Sequence, residues 1–166
     1  MSQSYNIASG IIFNDKNQIL LVKNTCKNNP PFWTPPGGIV ESGESFLDGL
    51  HREILEETGL KIDKVDGVVY LLQFLDHSKS FQDLVYVFKV GSYSGSININ
   101  DPDNEIIEAR FFTKKEAIEK MELNPFITIK EPMIDYLTGN QKQFYVYEKQ
   151  KNEKRKKKET CGNKTK

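Results

Sequence analysis

The stretch from Gly37 to Leu60 restricts this chain more than any other part of it. Its core, Glu44–Thr58, has helix-forming composition, with Ser42 as the expected N-cap and Gly59 where a C-terminal glycine stop belongs. At 100° per residue, Leu47, Leu50 and Ile54 form an apolar stripe, while Glu53, Glu56 and Glu57 fall within about 100° of one another beside it. Such a helix needs a sheet to cover its stripe. Three like charges so close repel unless a cation binds them, and a carboxylate ligand set points to Mg²⁺ or Mn²⁺ rather than zinc. A solvated acidic helix face is the commonplace alternative. Gly49 is expected to leave the acidic side uncrowded, Arg52 to brace Glu56 one turn on, and the doubled glycine Gly37-Gly38 to turn backbone carbonyls toward a metal.

Around this helix the pattern alternates between strands and helices. Ile7–Phe13 and Gln18–Lys23 read as a hairpin joined by Asn14–Asn17, followed by an Asn- and Pro-rich loop from Asn24 to Gly38. Gly67–Leu75, Phe81–Val90 and Ala109–Phe112 read as strands. Thr113 with Glu116 forms a capping box for a helix to Met121, Glu131–Leu137 reads as a short helix, and Phe144–Tyr147 as a strand or ordered end. The expectation is an α/β chain, an α/β/α sandwich with a mixed sheet, over residues 1–148.

Charge divides the chain unevenly. Residues 151–166 hold eight basic and two acidic residues, so the remaining 150 carry 15 basic and 21 acidic groups. The segment 149–166 is expected to be a basic, disordered tail, because its charged end has no aliphatic or aromatic residue to bury; a weak nucleic-acid contact is the functional alternative. No run of 18 apolar residues exists, so no membrane helix is expected, and the N-terminus does not read as a secretory signal. Two cysteines, Cys26 and Cys161, supply neither a disulfide framework nor a zinc site, and a cytoplasmic location is the expectation. A monomer or homodimer suits this size.

The order Gly38, five residues, Glu44, seven residues, Arg52-Glu53-Ile54-x-Glu56-Glu57-x-Gly59-Leu60 resembles the Nudix box at every position. Seven identities and two aliphatic positions would arise by chance in roughly one window per billion. Trp33-Thr34-Pro35-Pro36-Gly37-Gly38 resembles the stretch that leads into that box. Glu105-Ile106-Ile107-Glu108-Ala109-Arg110-Phe111-Phe112 is similar to a downstream strand of the family, with Phe111 in place of Trp. The resemblance covers about residues 5–137.

This resemblance implies the Nudix fold and hydrolysis of a nucleoside diphosphate linked to another group. It implies a divalent ion held by Glu53, Glu56, Glu57 and a carbonyl of Gly37 or Gly38, with Glu44 and Arg52 paired in support. Glu53 is the first choice of general base, with Glu105 and Glu108 as alternatives. Phe32, Trp33 and Tyr70 are candidates for stacking on a base, core packing being the competing role. Leu75-Asp76 stand where ADP-ribose-type members carry proline, and His77-Ser78 where diadenosine-type members carry tyrosine. By elimination the chain is most similar to small MutT-like members, with a nucleoside triphosphate or related nucleotide as the expected small-molecule substrate. Two other readings are a non-catalytic nucleotide- or RNA-binding module and an isomerase, although Cys26 has no context suited to the latter. The turn Asp101-x-Asp103-x-Glu105 lacks the glycine and terminal Glu of a calcium loop.

Overall fold

The structure, a computed structural model, describes residues 3–26 and 28–150. The tail beyond residue 150, and with it the expectation of disorder there, lies outside these residues. Among the described residues the order is β1 Gln3–Ile11, β2 Ile19–Cys26, β3 Asn29–Thr34, β4 Gly37–Ile39, α1 Phe46–Thr58, β5 Lys61–Asp76 and β6 Phe81–Ser94. Then come β7 Ile106–Phe112, α2 Lys114–Glu122, α3 Ile127–Thr138 and β8 Phe144–Lys149.

The strands form two sheets. A five-stranded mixed sheet runs β4-β1-β6-β5-β8, with β1–β6 and β5–β8 parallel, and a three-stranded antiparallel sheet runs β3-β2-β7. Side chains alternate across the strands, so two cores result. Leu50 and Ile54 of α1 pack on Ala8, Leu20, Phe88 and Val90 on one side. Met121 of α2 and Met133 and Leu137 of α3 pack with Ile11, Leu21, Tyr70, Val87 and Phe112 on the other. The expected sandwich of helices about a mixed sheet is present. No helix among the described residues is long and apolar enough to cross a membrane.

Several local expectations need correction. The Asn14–Gln18 turn forms, with the Asn14 side chain accepting from Lys16 and Gln18 amides at 3.0 and 2.9 Å, and Phe13 bridges to Ile19. Beyond that bridge the predicted hairpin separates into different sheets. Both edges of β1 are taken by β4 and β6, and both edges of β2 by β3 and β7, so neither can pair with the other. The expected loop 24–38 takes in the end of β2, all of β3 and the start of β4. Pro30 and Pro31 are tolerated because β3 is an edge strand, where a missing amide costs no ladder bond.

The cap of α1 is Ser45, not Ser42: its hydroxyl accepts from the Asp48 amide at 3.1 Å, and Asp48 answers by accepting from the Ser45 amide at 3.0 Å. Leu47 drops out of the buried stripe and is 46% exposed, leaving Leu50 and Ile54 to pack. The last helix begins at Ile127 instead of Glu131 and carries Pro132 in its interior. The Thr113–Glu116 capping box and the Gly59 stop, in the left-handed conformation, are as expected.

Candidate active site

Helix α1 delivers its acidic side to a cavity of about 460 Å³ bordered by Glu53, Glu56, Glu57, Gly37 and Gly38. The opposite wall is the loop before β7, which contributes Asp101, Asp103 and Glu105. Asp101 shapes that loop by accepting from the amides of Asp103, Glu105 and Ile106 at 3.1, 2.7 and 2.9 Å. The Asn100 amide donates to the Glu56 carbonyl at 2.8 Å, which ties the loop to the helix end.

The carboxylates are held differently. Glu57 is almost fully buried and accepts from the Gly37 amide at 2.8 Å. Burial pushes its carboxyl up to about 8, outweighing that bond, with the neighbouring Glu53, Asp101 and Glu56 charges adding to the rise. Glu53 is also pushed upward by burial, against the pull of Arg52, whose Nη1 donates to it at 2.8 Å. Glu56 lies 3.5 Å from the same nitrogen.

Arg52 grips Glu44 with Nε at 2.7 Å and Nη2 at 3.0 Å, and reaches the Ile39 carbonyl at 2.9 Å. Its hydrogen bonds to Glu44 raise it further above an already high value. In return Glu44, bonded by Arg52 and by the Glu41 amide, is held down at about 2. One guanidinium thus fastens the loop after β4 to α1 while touching two acidic residues of the cavity.

The glycine pair is required by close approach. A side chain on Gly37, at φ 148°, would collide with the Ala8 carbonyl, and a Cβ on Gly38 would stand 2.5 Å from Glu53 Cδ. Gly49 serves a different purpose from the one its spacing suggested: a Cβ there would lie 3.1 Å from Val40 Cγ2 and 3.3 Å from Glu44 Oε2. It makes room for the Val40–Glu44 loop rather than for the acidic side.

Among the described residues, no three His, Cys, Asp or Glu side chains stand in positions to hold a metal ion together. The reason is visible in their partners: Glu53 turns to Arg52 and Glu57 to the Gly37 amide. The donors still fit a hard divalent cation in kind. All are oxygens, they border one cavity, and glutamate side chains can re-aim by rotation.

Other candidates are distributed unequally. Glu105 borders the acidic cavity, whereas Glu108 sits on β7 facing Lys23 and Arg110, each at 3.8 Å, away from it. Phe32 and Tyr70 line a second, mostly apolar cavity of about 320 Å³, which meets the first at Asn24 and Gly37. Trp33 is a core residue, edge-on to Phe112 at 4.8 Å, with its carbonyl accepting from Asn124 at 2.7 Å. Asp101, Asp103 and Asn24 were not singled out as site residues from sequence. The acidic density of Asp101–Glu105 was the available signal, but a turn reads the same way.

The NUDIX domain family matches residues 5–137. The ADP-ribose pyrophosphatase of Methanocaldococcus jannaschii is 38% identical over 105 residues, 62% of this chain and 58% of that protein. The putative 8-oxo-dGTP diphosphatase of Bacillus subtilis is 51% identical over 49 residues, 30% of this chain and 31% of that protein. The chain thus spans less than two thirds of either relative. Among solved structures, a NUDIX hydrolase from Nitrosomonas europaea superposes with a TM-score of 0.69 at 21% identity, covering 85% of this chain and 93% of its own.

Proposed function

The chain belongs to the Nudix family, and from that membership we propose that it is a pyrophosphohydrolase that cleaves the phosphoanhydride of a nucleoside diphosphate linked to another group, with a nucleoside triphosphate or related nucleotide as substrate. The observation that carries this reading is the shared cavity of Glu53, Glu56, Glu57, Gly37 and Gly38, which adjoins, at Asn24 and Gly37, a mostly apolar cavity of a size to take a base. The names of the two curated relatives, an ADP-ribose pyrophosphatase and a putative 8-oxo-dGTP diphosphatase, are of the same reaction type.

Glu53, Glu56, Glu57 and the Gly37 or Gly38 carbonyl would hold the cation, Mg²⁺ or Mn²⁺, which when bound neutralises the pyrophosphate and polarises its phosphoryl oxygens. The chain's own groups do the rest. Glu53, its carboxyl raised by burial, accepts a proton from the attacking water. Glu105, which borders the cavity, is the alternative base; Glu108 does not border it and is paired with Lys23. Arg52, fixed by Glu44, keeps the glycine loop and α1 in register so that the acidic residues and the glycine backbone face one substrate. Phe32 and Tyr70 would bracket the base, while Trp33 stays in the core against Phe112.

Incubation with a panel of nucleoside triphosphates, diphosphate-linked nucleotides and monophosphates, with Mg²⁺ or Mn²⁺, tests this reading. Turnover of the anhydrides that chelation abolishes, with monophosphates untouched, is expected. Binding without turnover would instead identify a non-catalytic nucleotide- or RNA-binding module.

A further inference from the structure

The apolar cavity contains a charge that its surroundings do not account for. Strand alternation puts Asp83, Val85 and Val87 of β6 on one face, and all three line the cavity. Across the sheet Asp83 is level with Phe74, and Val85 with Leu72, so the carboxylate stands among apolar strand neighbours and is the one ionisable carboxyl in a lining whose other polar side chains are Ser9, Asn24, Thr34, Tyr70 and Thr128. Its Oδ1 is closed off from solvent and has no hydrogen-bond partner among the described residues. Other shielded carboxylates here are satisfied: Glu57 by the Gly37 amide, Asp76 by Ser78 and Lys149. Burial alone pushes the Asp83 carboxyl upward, with no opposing partner. An apolar residue would pack there at lower cost, and a polar group that violates local packing marks a site.

Position narrows what the group could meet. Gly37 pairs with Ser9, which pairs with Val87, so β6 lies two strand spacings, about 10 Å, from Gly37; Asp83 is four residues, about 13 Å, farther along β6, which puts the two Cα atoms about 16 Å apart. The Asp83 side chain and the phosphates at the glutamates take up part of that separation, and the remainder is room for a nucleoside. An ionised carboxylate only accepts hydrogen bonds, through two adjacent oxygens. Among the common bases, guanine alone offers two neighbouring donors, N1–H and the exocyclic N2 amino group. Adenine and cytosine alternate donor with acceptor, and uracil flanks one donor with two carbonyls.

Building on the hydrolase reading above, we infer that this cavity is a base-recognition site in which the Asp83 side chain, by rotating its shielded oxygen toward the cavity, accepts the paired N–H donors of a guanine-type base and so determines substrate choice.

The test measures kcat and KM for the full chain with Mg²⁺, each base supplied as the triphosphate and as a diphosphate sugar, comparing guanine with hypoxanthine, which lacks the amino group, and with adenine, cytosine and uracil. Wild type is expected to favour guanine over hypoxanthine by about 10-fold or more in kcat/KM, chiefly through KM. Asp83→Asn and Asp83→Leu should erase that preference. Both should melt no lower than wild type, because a partly buried carboxylate with an unpartnered oxygen has been removed, so loss of preference is not loss of fold. Turnover with no guanine preference, or a preference that survives both substitutions, overturns the role of Asp83 and leaves the hydrolase standing. No turnover of any compound in the panel overturns both.

Discussion

Glu57 and Glu44 respond to pH in opposite senses, and the two windows do not overlap. Glu57 rises from its ordinary 4.5 to about 8 in the folded, cation-free protein. Between those values the folded state holds a proton that the unfolded chain has released, so stability falls as pH rises through that window. Glu44, lowered to about 2 by Arg52, contributes stability that is present above about 4.5 and lost as pH falls toward 2. Thermal melts in chelator should therefore decline from pH 5 to pH 8.5, and the rise in melting temperature on adding Mg²⁺ should grow over the same range, since ligation requires the carboxylate. Glu57→Gln should flatten both trends; a wild-type melting temperature that climbs steadily to pH 8.5 would contradict this electrostatic picture. Glu53→Gln, Glu56→Gln and Glu57→Gln should each lower kcat by at least about 100-fold. None should melt lower than wild type in chelator at pH 8.5, because there each removes one of the carboxylates that repel one another once Glu57 has released its proton. A solvated acidic face predicts unchanged activity in all three.

At the level of elements, α1 begins at Ser45, and its cap can be tested against the neighbouring serine. Ser45→Ala should cost about 1 kcal/mol and lower the melting temperature by a few degrees, whereas Ser42→Ala should be silent. The contrast also explains which features could be read in the sequence. The helix, its acidic side and its Gly59 stop depend on spacing within one segment, so they were legible; so was the Thr113–Glu116 box. The first cap was not, because Ser42 and Ser45 both precede the helix and only the pairing of Glu44 with Arg52 places Glu44 outside it. β3 was hidden by Pro30 and Pro31, whose tolerance depends on an edge position that only the assembled sheet defines. The parting of β1 from β2 likewise depends on neighbours far along the chain. Within the cavity, Asp101 and Asp103 come from a loop more than forty residues beyond the helix, and Asp83 reads as one polar residue in a strand until the strands beside it are in place.

Across the whole molecule, charge is segregated between an acidic body and a basic terminal segment, residues 151–166, which has no aliphatic or aromatic side chain. A chain shortened to end at Gln150 keeps all of β8, including Lys149 with its 3.3 Å ion pair to Asp76, and should retain its melting temperature within a few degrees and its kcat on small nucleotides. A large loss of either would mean that the terminal segment contributes to the body. Steeply salt-dependent RNA binding by the full chain, absent from the short one, would assign that segment a nucleic-acid contact. The body's proposed chemistry is anhydride cleavage by water at phosphorus, with Glu53 as the base. Hydrolysis of the best panel substrate in ¹⁸O-labelled water with Mg²⁺, by wild type and by Glu53→Gln, examines it in a single assay. The expected result is label in a phosphate or nucleotide product from wild type, and turnover at least about 100-fold slower from Glu53→Gln. Label recovered on a sugar carbon, or a Glu53→Gln variant as fast as wild type, would contradict it.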